Sequence, residues 1–204
     1  MIEADRLFVK ICGLRTSADV DAAVEAGADA VGFVLSATSP RAVDVDTARA
    51  LVAHAAGRAT TVLVVHDVTA AEAVEAARTV GVDVLQTHGY RADDTAELNQ
   101  FPRVWRAVSL AKEPRPRVGA HGEELLLLDS PRAGSGERWD LGALADADLD
   151  GPWLLAGGLA PDNVAQAVAE ARPGGVDVSS GVESAPGVKD HALIATFVAN
   201  ARAR

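Results

Sequence analysis

Two apolar runs in this chain end on groups that can move protons. LFVKIC stops at Cys12, the only cysteine, with a glycine directly after it, and ELLLLD stops at Asp129. A thiol brought down toward neutrality from about 8.5 becomes a reactive thiolate, and a carboxyl at a strand end can exchange protons with a ligand. Each residue also has a plainer explanation. A lone cysteine in an apolar run is commonly a small buried hydrophobe. An aspartate ending a strand can cap a loop, although a carboxylate beside apolar residues must be paired or sit at a rim. Arg41, in ATSPRAV, can hold a ligand carboxylate with its fork of donors or can stand in solvent. His88, in QTHG, can exchange protons or orient its own loop.

Two glycine motifs point to an anion. LLAGGL places Gly157 and Gly158 between an apolar run and a helical pattern, and VDVSSG places Ser180 and Gly181 similarly. Glycines allow close backbone approach, and helix N-termini offer free N–H groups to a phosphate. The pairing of two such motifs carries more weight than either alone. The five histidines, His54, His66, His88, His121 and His191, show no metal-ligand spacing, so no metal is expected.

These residues need a scaffold that collects them. Short continuous apolar runs predict strands at Leu7–Cys12, Ala30–Leu35, Thr60–His66, Val82–Thr87, Val104–Leu110, Glu124–Asp129, Trp153–Gly157 and Val176–Ser180. Amphipathic stretches between them predict helices from Ser17 to about Gly27, and at Asp44–Gly57, Thr69–Gly81, Asp93–Gln100, Leu141–Ala147, Pro161–Ala171 and Val188–Ala203. Pro161 suits the first turn of its helix. KEPRPRVGAHG, after the fifth strand, allows at most one helical turn. Continuous rather than alternating strands, joined by helical crossovers, imply a parallel sheet covered on its outside. The fold class expected is α/β, a single-domain (βα)8 TIM barrel over residues 1–204. An open doubly wound sheet would more naturally have fewer strands. In a barrel of this kind the strand C-termini form the active-site rim, and the loops after the seventh and eighth strands commonly bind phosphate. Cys12, Arg41, His88, Asp129 and both glycine motifs fall on that rim. Lys10, two residues before Cys12, should face the same way and support a thiolate.

The bulk composition narrows the function. Of 204 residues, 49% are hydrophobic and only 4% aromatic, so the core is aliphatic. The formal charge of -10 disfavours nucleic acid and anionic lipid as partners. One cysteine forbids an internal disulfide and fits a reducing compartment. Neither a signal peptide nor a run of transmembrane length is seen, so a cytoplasmic location is expected.

The motifs KICGLRT (Lys10–Thr16), AGADAVGFVLSATSPR (Ala26–Arg41), LQTHG (Leu85–Gly89), LLLDS (Leu126–Ser130), LAGGLAPDNV (Leu155–Val164) and VDVSSGVESAPGVKD (Val176–Asp190) occur in one order along the chain. In type and order they resemble the phosphoribosylanthranilate isomerases of tryptophan biosynthesis. The resemblance implies an Amadori rearrangement of N-(5-phosphoribosyl)anthranilate without cofactor or metal, in a monomer or homodimer. It matches Cys12 to the general base, Asp129 to the general acid and Arg41 to the group meeting the anthranilate carboxylate. It matches Gly157, Gly158, Ser180 and Gly181 to the phosphate loops, and gives Asp177 a supporting role.

The chain departs from the family pattern at Thr87, where leucine is usual, in AGSGERWD, in the third strand VLVVHD and in Lys112–His121. Two other functions compete. The related histidine-pathway isomerisation, alone or as a second activity of the same site, typically uses paired aspartates, and Cys12 argues against it. A non-catalytic phosphate-binding barrel would be indifferent to the loss of Cys12 or Asp129.

Overall fold

The computed structural model describes residues 6–129 and 149–203. Its strands are β1 (Phe8–Cys12), β2 (Ala30–Leu35), β3 (Thr60–Val65), β4 (Val84–His88), β5 (Val104–Ser109), β6 (Leu125–Asp129), β7 (Trp153–Leu155) and β8 (Gly175–Val178). Each pairs in parallel with its neighbour in the chain, and β8 pairs with β1, so the sheet closes into a barrel. At the seam Phe8 lies opposite Gly175 and Lys10 opposite Asp177.

The pleat sorts each run into two faces. Val9, Ile11, Leu63, Leu85, Leu126, Leu128 and Val176 join the layer between barrel and helices. Cys12, Ala30, Val62, Val64, Val84, Trp105, Leu125, Leu127 and Leu154 fill the interior. This explains the continuous apolar runs: both faces are buried. At the floor, Phe8 meets Trp105 edge to face, with ring centroids 6.0 Å apart.

The helices are α1 (Ser17–Glu25), α2 (Val45–Ala55), α3 (Ala70–Val80), α4 (Thr95–Leu98), α5 (Val164–Ala171) and α6 (His191–Arg202). Thr16 and Thr69 open theirs with capping boxes to Asp19 and Glu72. No helix among the described residues is long and apolar enough to cross a membrane.

Two predicted helix starts change. The helix after β7 begins at Val164, not Pro161, because Asn163 ties residues 158–163 into a turn first. The closing helix begins at His191, not Val188. Asp190 caps it with hydrogen bonds from the Ala192 and Leu193 amides. Val188–Lys189 instead forms strand β10, paired antiparallel with β9 (Glu183–Ala185). The helix expected at Leu141–Ala147 and the glycines Gly134 and Gly136 lie outside the described residues.

Between β5 and β6 no helix forms, as the prolines require. A charge cluster holds this segment instead. Arg106 points outward from β5 and donates to Glu113 at 2.6 Å and to Glu123 at 2.9 Å. Glu123 is buried and also accepts from the His121 amide at 2.8 Å. Removing Arg106 leaves the Glu123 carboxylate buried without its cation. Arg106→Leu should therefore cost about 3–5 kcal/mol of unfolding free energy in urea titration. Arg106→Leu combined with Glu123→Leu should cost less than the single change, and an equal or greater loss would contradict this account of the segment.

Candidate active site

The pleat turns Lys10 and Cys12 on β1, Gln86 and His88 on β4, Asp129 on β6 and Asp177 on β8 toward the barrel axis. Lys10 is fully buried, and its Nζ donates to Asp177 Oδ1 at 2.6 Å. Burial alone would push the ammonium down. Asp177 and Cys12 outweigh it and hold the Lys10 pKa above its ordinary value. Gly32, opposite Cys12 on β2, leaves room for this pair. A Cβ there would stand 3.0 Å from Cys12 Sγ and 3.3 Å from Lys10 Cε.

The thiol departs from the sequence-based expectation. Its pKa is raised, not lowered. Burial pushes it up and Asp177 adds to this, outweighing the pull of Lys10 and Lys189. Lys10 thus does act on the thiol in the expected direction, but its charge is shared with Asp177.

Across the mouth, His88 and Asp129 line one cleft of about 290 Å³ with His66, Ser109, Lys112 and Glu113. Burial lowers the His88 pKa to about 4, with Lys10, His66 and Lys112 adding to the effect, so the ring is neutral near pH 7. Gln86 Nε2 lies 3.1 Å from His88 Nε2. A neutral ring accepting there carries its proton on Nδ1. Gln86 Oε1 is buried without a hydrogen-bond partner among the described residues.

The glycine motifs lie side by side. Gly157 and Gly158 both take positive φ, 81° and 69°, which other residues rarely adopt. Ser180–Val182 forms a 3-10 turn after β8. A Cβ on Gly181 would overlap the Leu159 carbonyl oxygen, so the two loops touch through bare backbone. Asn163 staples the first loop: it accepts from the Ala160 amide at 2.9 Å and donates to the Gly158 carbonyl at 2.8 Å.

Arg41 is mostly buried rather than solvated. Its Nε and Nη2 donate to the two oxygens of Glu183 at 2.7 and 2.9 Å. Thr87, in place of the usual leucine, faces outward, and its hydroxyl donates to the Trp105 carbonyl at 3.3 Å. The third-strand departure places His66 at the cleft, with Nδ1 2.7 Å from Asp67. Among the described residues no group of three His, Cys, Asp or Glu is placed to hold a metal ion.

Reading the residues singly missed Gln86, Asn163, Glu183 and Lys189. Glu183 and Lys189 lie in VESAPGVKD, where a charge on either side of Pro-Gly was the available signal. The Gln86 and Asn163 positions carry no such mark.

A closed parallel barrel with its polar groups gathered at the carboxyl ends of the strands belongs to the (βα)8 class of enzymes. Residues 9–200 match the family model for N-(5'-phosphoribosyl)anthranilate (PRA) isomerase. The N-(5'-phosphoribosyl)anthranilate isomerase of Rhodopseudomonas palustris BisA53 is 42% identical, with 97% of this chain and 96% of that one covered. The crystal structure of TrpF from Jonesia denitrificans is 53% identical with a TM-score of 0.89, covering 96% of each chain. A phosphoribosyl anthranilate isomerase solved with reduced 1-(o-carboxyphenylamino)-1-deoxyribulose 5-phosphate is 30% identical with a TM-score of 0.80, covering 96% of this chain and 98% of that one. The chain belongs to the phosphoribosylanthranilate isomerase family.

Two measurements check the electrostatics. Lys10→Met should move the midpoint of Cys12 alkylation by iodoacetamide to higher pH, and an unmoved midpoint would remove Lys10 from the thiol's surroundings. The low His88 pKa also makes stability fall as pH drops. Between about pH 6.5 and 4 the unfolded chain binds a proton that the folded chain refuses. His88→Asn should reduce that fall in urea midpoint, and an unchanged pH dependence would show that His88 is not its source.

Proposed function

We propose that the mouth holds the substrate with its phosphate on the Gly157–Gly158 and Ser180–Gly181 loops and its anthranilate carboxylate at Arg41. Asp129 then faces the ribose ring oxygen and Cys12 faces C2′. The reaction is the Amadori rearrangement of N-(5-phosphoribosyl)anthranilate to 1-(2-carboxyphenylamino)-1-deoxyribulose 5-phosphate, catalysed by an intramolecular isomerase of tryptophan biosynthesis.

One observation carries the assignment of roles. Around the barrel the order is β6, β7, β8, β1. The proposed acid and base therefore flank the two loops proposed for the phosphate. A ribose anchored by its 5′-phosphate between them presents one edge to β6 and the other to β1.

The chemistry follows from that placement. Asp129 protonates O4′ as the C1′–O4′ bond breaks, leaving an iminium between nitrogen and C1′. That cation makes the C2′ proton acidic and, close to Sγ, draws the thiol toward its thiolate. Cys12 removes the proton, and the enolamine tautomerises to the ketone. Lys10 supports the thiolate from below, and Asp177 holds Lys10 in place. Neutral His88 is a positioning group rather than the acid. No cofactor or metal enters these steps. The substrate is a small molecule and the chain's charge of -10 is unsuited to nucleic acid or anionic membranes, which supports a cytoplasmic enzyme; the family resemblance implies a monomer or homodimer.

The test follows the loss of substrate fluorescence with purified enzyme and no added metal, corrected for spontaneous decay. Cys12→Ser and Asp129→Asn should each lower kcat by about 100- to 10,000-fold. A folded variant that keeps full turnover would remove that residue from the chemistry.

A further inference from the structure

The β9–β10 hairpin after β8 reaches back to the loop after β2, and its Glu183 is the residue that meets Arg41. The Glu183 side chain is only 4% exposed, and its carboxylate is fully engaged. Oε1 accepts from Arg41 Nε at 2.7 Å and from Lys189 Nζ at 2.8 Å. Oε2 accepts from Arg41 Nη2 at 2.9 Å and from the Gly187 amide at 3.2 Å. Four donors fill the sites a carboxylate offers. Burial pushes the Glu183 carboxyl up, but the Arg41 and Lys189 hydrogen bonds outweigh it, and the group stays anionic.

Lys189 is itself buried and anchored. It donates to the Ser179 carbonyl at 2.9 Å, and Ser179 Oγ donates to the Cys12 carbonyl at 3.1 Å. The hairpin is thus tied to both β8 and the end of β1. Pairing through Nε and Nη2 uses one edge of the guanidinium. Nη1 makes no hydrogen bond among the described residues, so the Nη1/Nη2 edge keeps a second fork. A planar group clamped along one edge cannot swing about its Cδ–Nε bond, which sets the direction of that second fork.

We infer that Glu183, held by Lys189, is a positioning residue that aims the free edge of Arg41 at the carboxylate of the substrate's aromatic ring and so enforces selection for a carboxyl-bearing ring. This rests on the assignment of Arg41 to that carboxylate. Glu183 touches no substrate atom. Its effect is confined to the ligand group that Arg41 meets.

The test compares two probes by calorimetry: reduced 1-(o-carboxyphenylamino)-1-deoxyribulose 5-phosphate and the same compound without the carboxyl group. Wild type should prefer the first. Glu183→Gln should weaken the first by about tenfold or more and change the second by less than about twofold. Glu183→Asp keeps the charge on a shorter arm and should lie between, and it serves if Glu183→Gln does not fold. Equal weakening of both probes would make the hairpin merely structural and overturn the inference, as would undiminished discrimination. A wild type indifferent to the carboxyl would instead overturn the Arg41 assignment, and the inference with it.

Discussion

The ion pair of Lys10 and Asp177, held inside the barrel, sets the electrostatic surroundings of Cys12. It lies at the seam where β8 closes onto β1, over a floor made by Phe8 and Trp105. Lys10 is out of water there and Asp177 mostly so, and their charges act on Cys12, one pleat higher. Such a pair is weak support for stability, because desolvation offsets much of its attraction. Its consequence is electrostatic. The thiol sits between a cation that favours the thiolate and an anion that opposes it. Burial and Asp177 together outweigh Lys10 and Lys189 and hold the thiol above its ordinary pKa.

The same seam organises the neighbouring charges. The buried cations Lys10, Arg41 and Lys189 face Asp177 and Glu183 on the β8, β1 and β2 side of the mouth. The opposite side, from β3 to β6, is built around a neutral histidine and Asp129. The two halves of the mouth therefore differ in field as well as in shape. The difference suits a reaction that protonates oxygen at one edge of a sugar and deprotonates carbon at the other.

Polar networks stand in here for regular structure. Arg106 and its two glutamates take the place of a helix between β5 and β6. In the β9–β10 hairpin, Glu183 and Lys189 do comparable work between β8 and α6. Both segments carry proline and glycine, which forbid helix but leave backbone amides available to carboxylates. The fold meets this requirement with buried charge, whose geometry is more specific than that of an apolar face. In the hairpin that specificity is directed at Arg41.

The amino-acid sequence by itself determined the strands, their parallel order and the rim. Aliphatic runs buried on both faces and joined mostly by long crossovers pair in parallel, which puts Cys12, Asp129 and the glycine loops at one end. The pleat likewise put Lys10 below Cys12. Local pattern failed where a distant partner decided the outcome. Val188–Lys189 reads as helix, yet Lys189 is drawn into strand by Glu183 and Ser179. Pro161 reads as a helix start, yet Asn163 spends its amide on the preceding loop. Arg41 reads as an exposed fork until Glu183, 142 residues away, takes one edge of it. The thiol's pKa belongs to the same class. It is a sum over burial and charges contributed by β1, β8 and the hairpin, and no stretch of sequence holds that sum. Only the closed barrel brings those terms together, because electrostatic energy depends on distance in space while periodicity records distance along the chain.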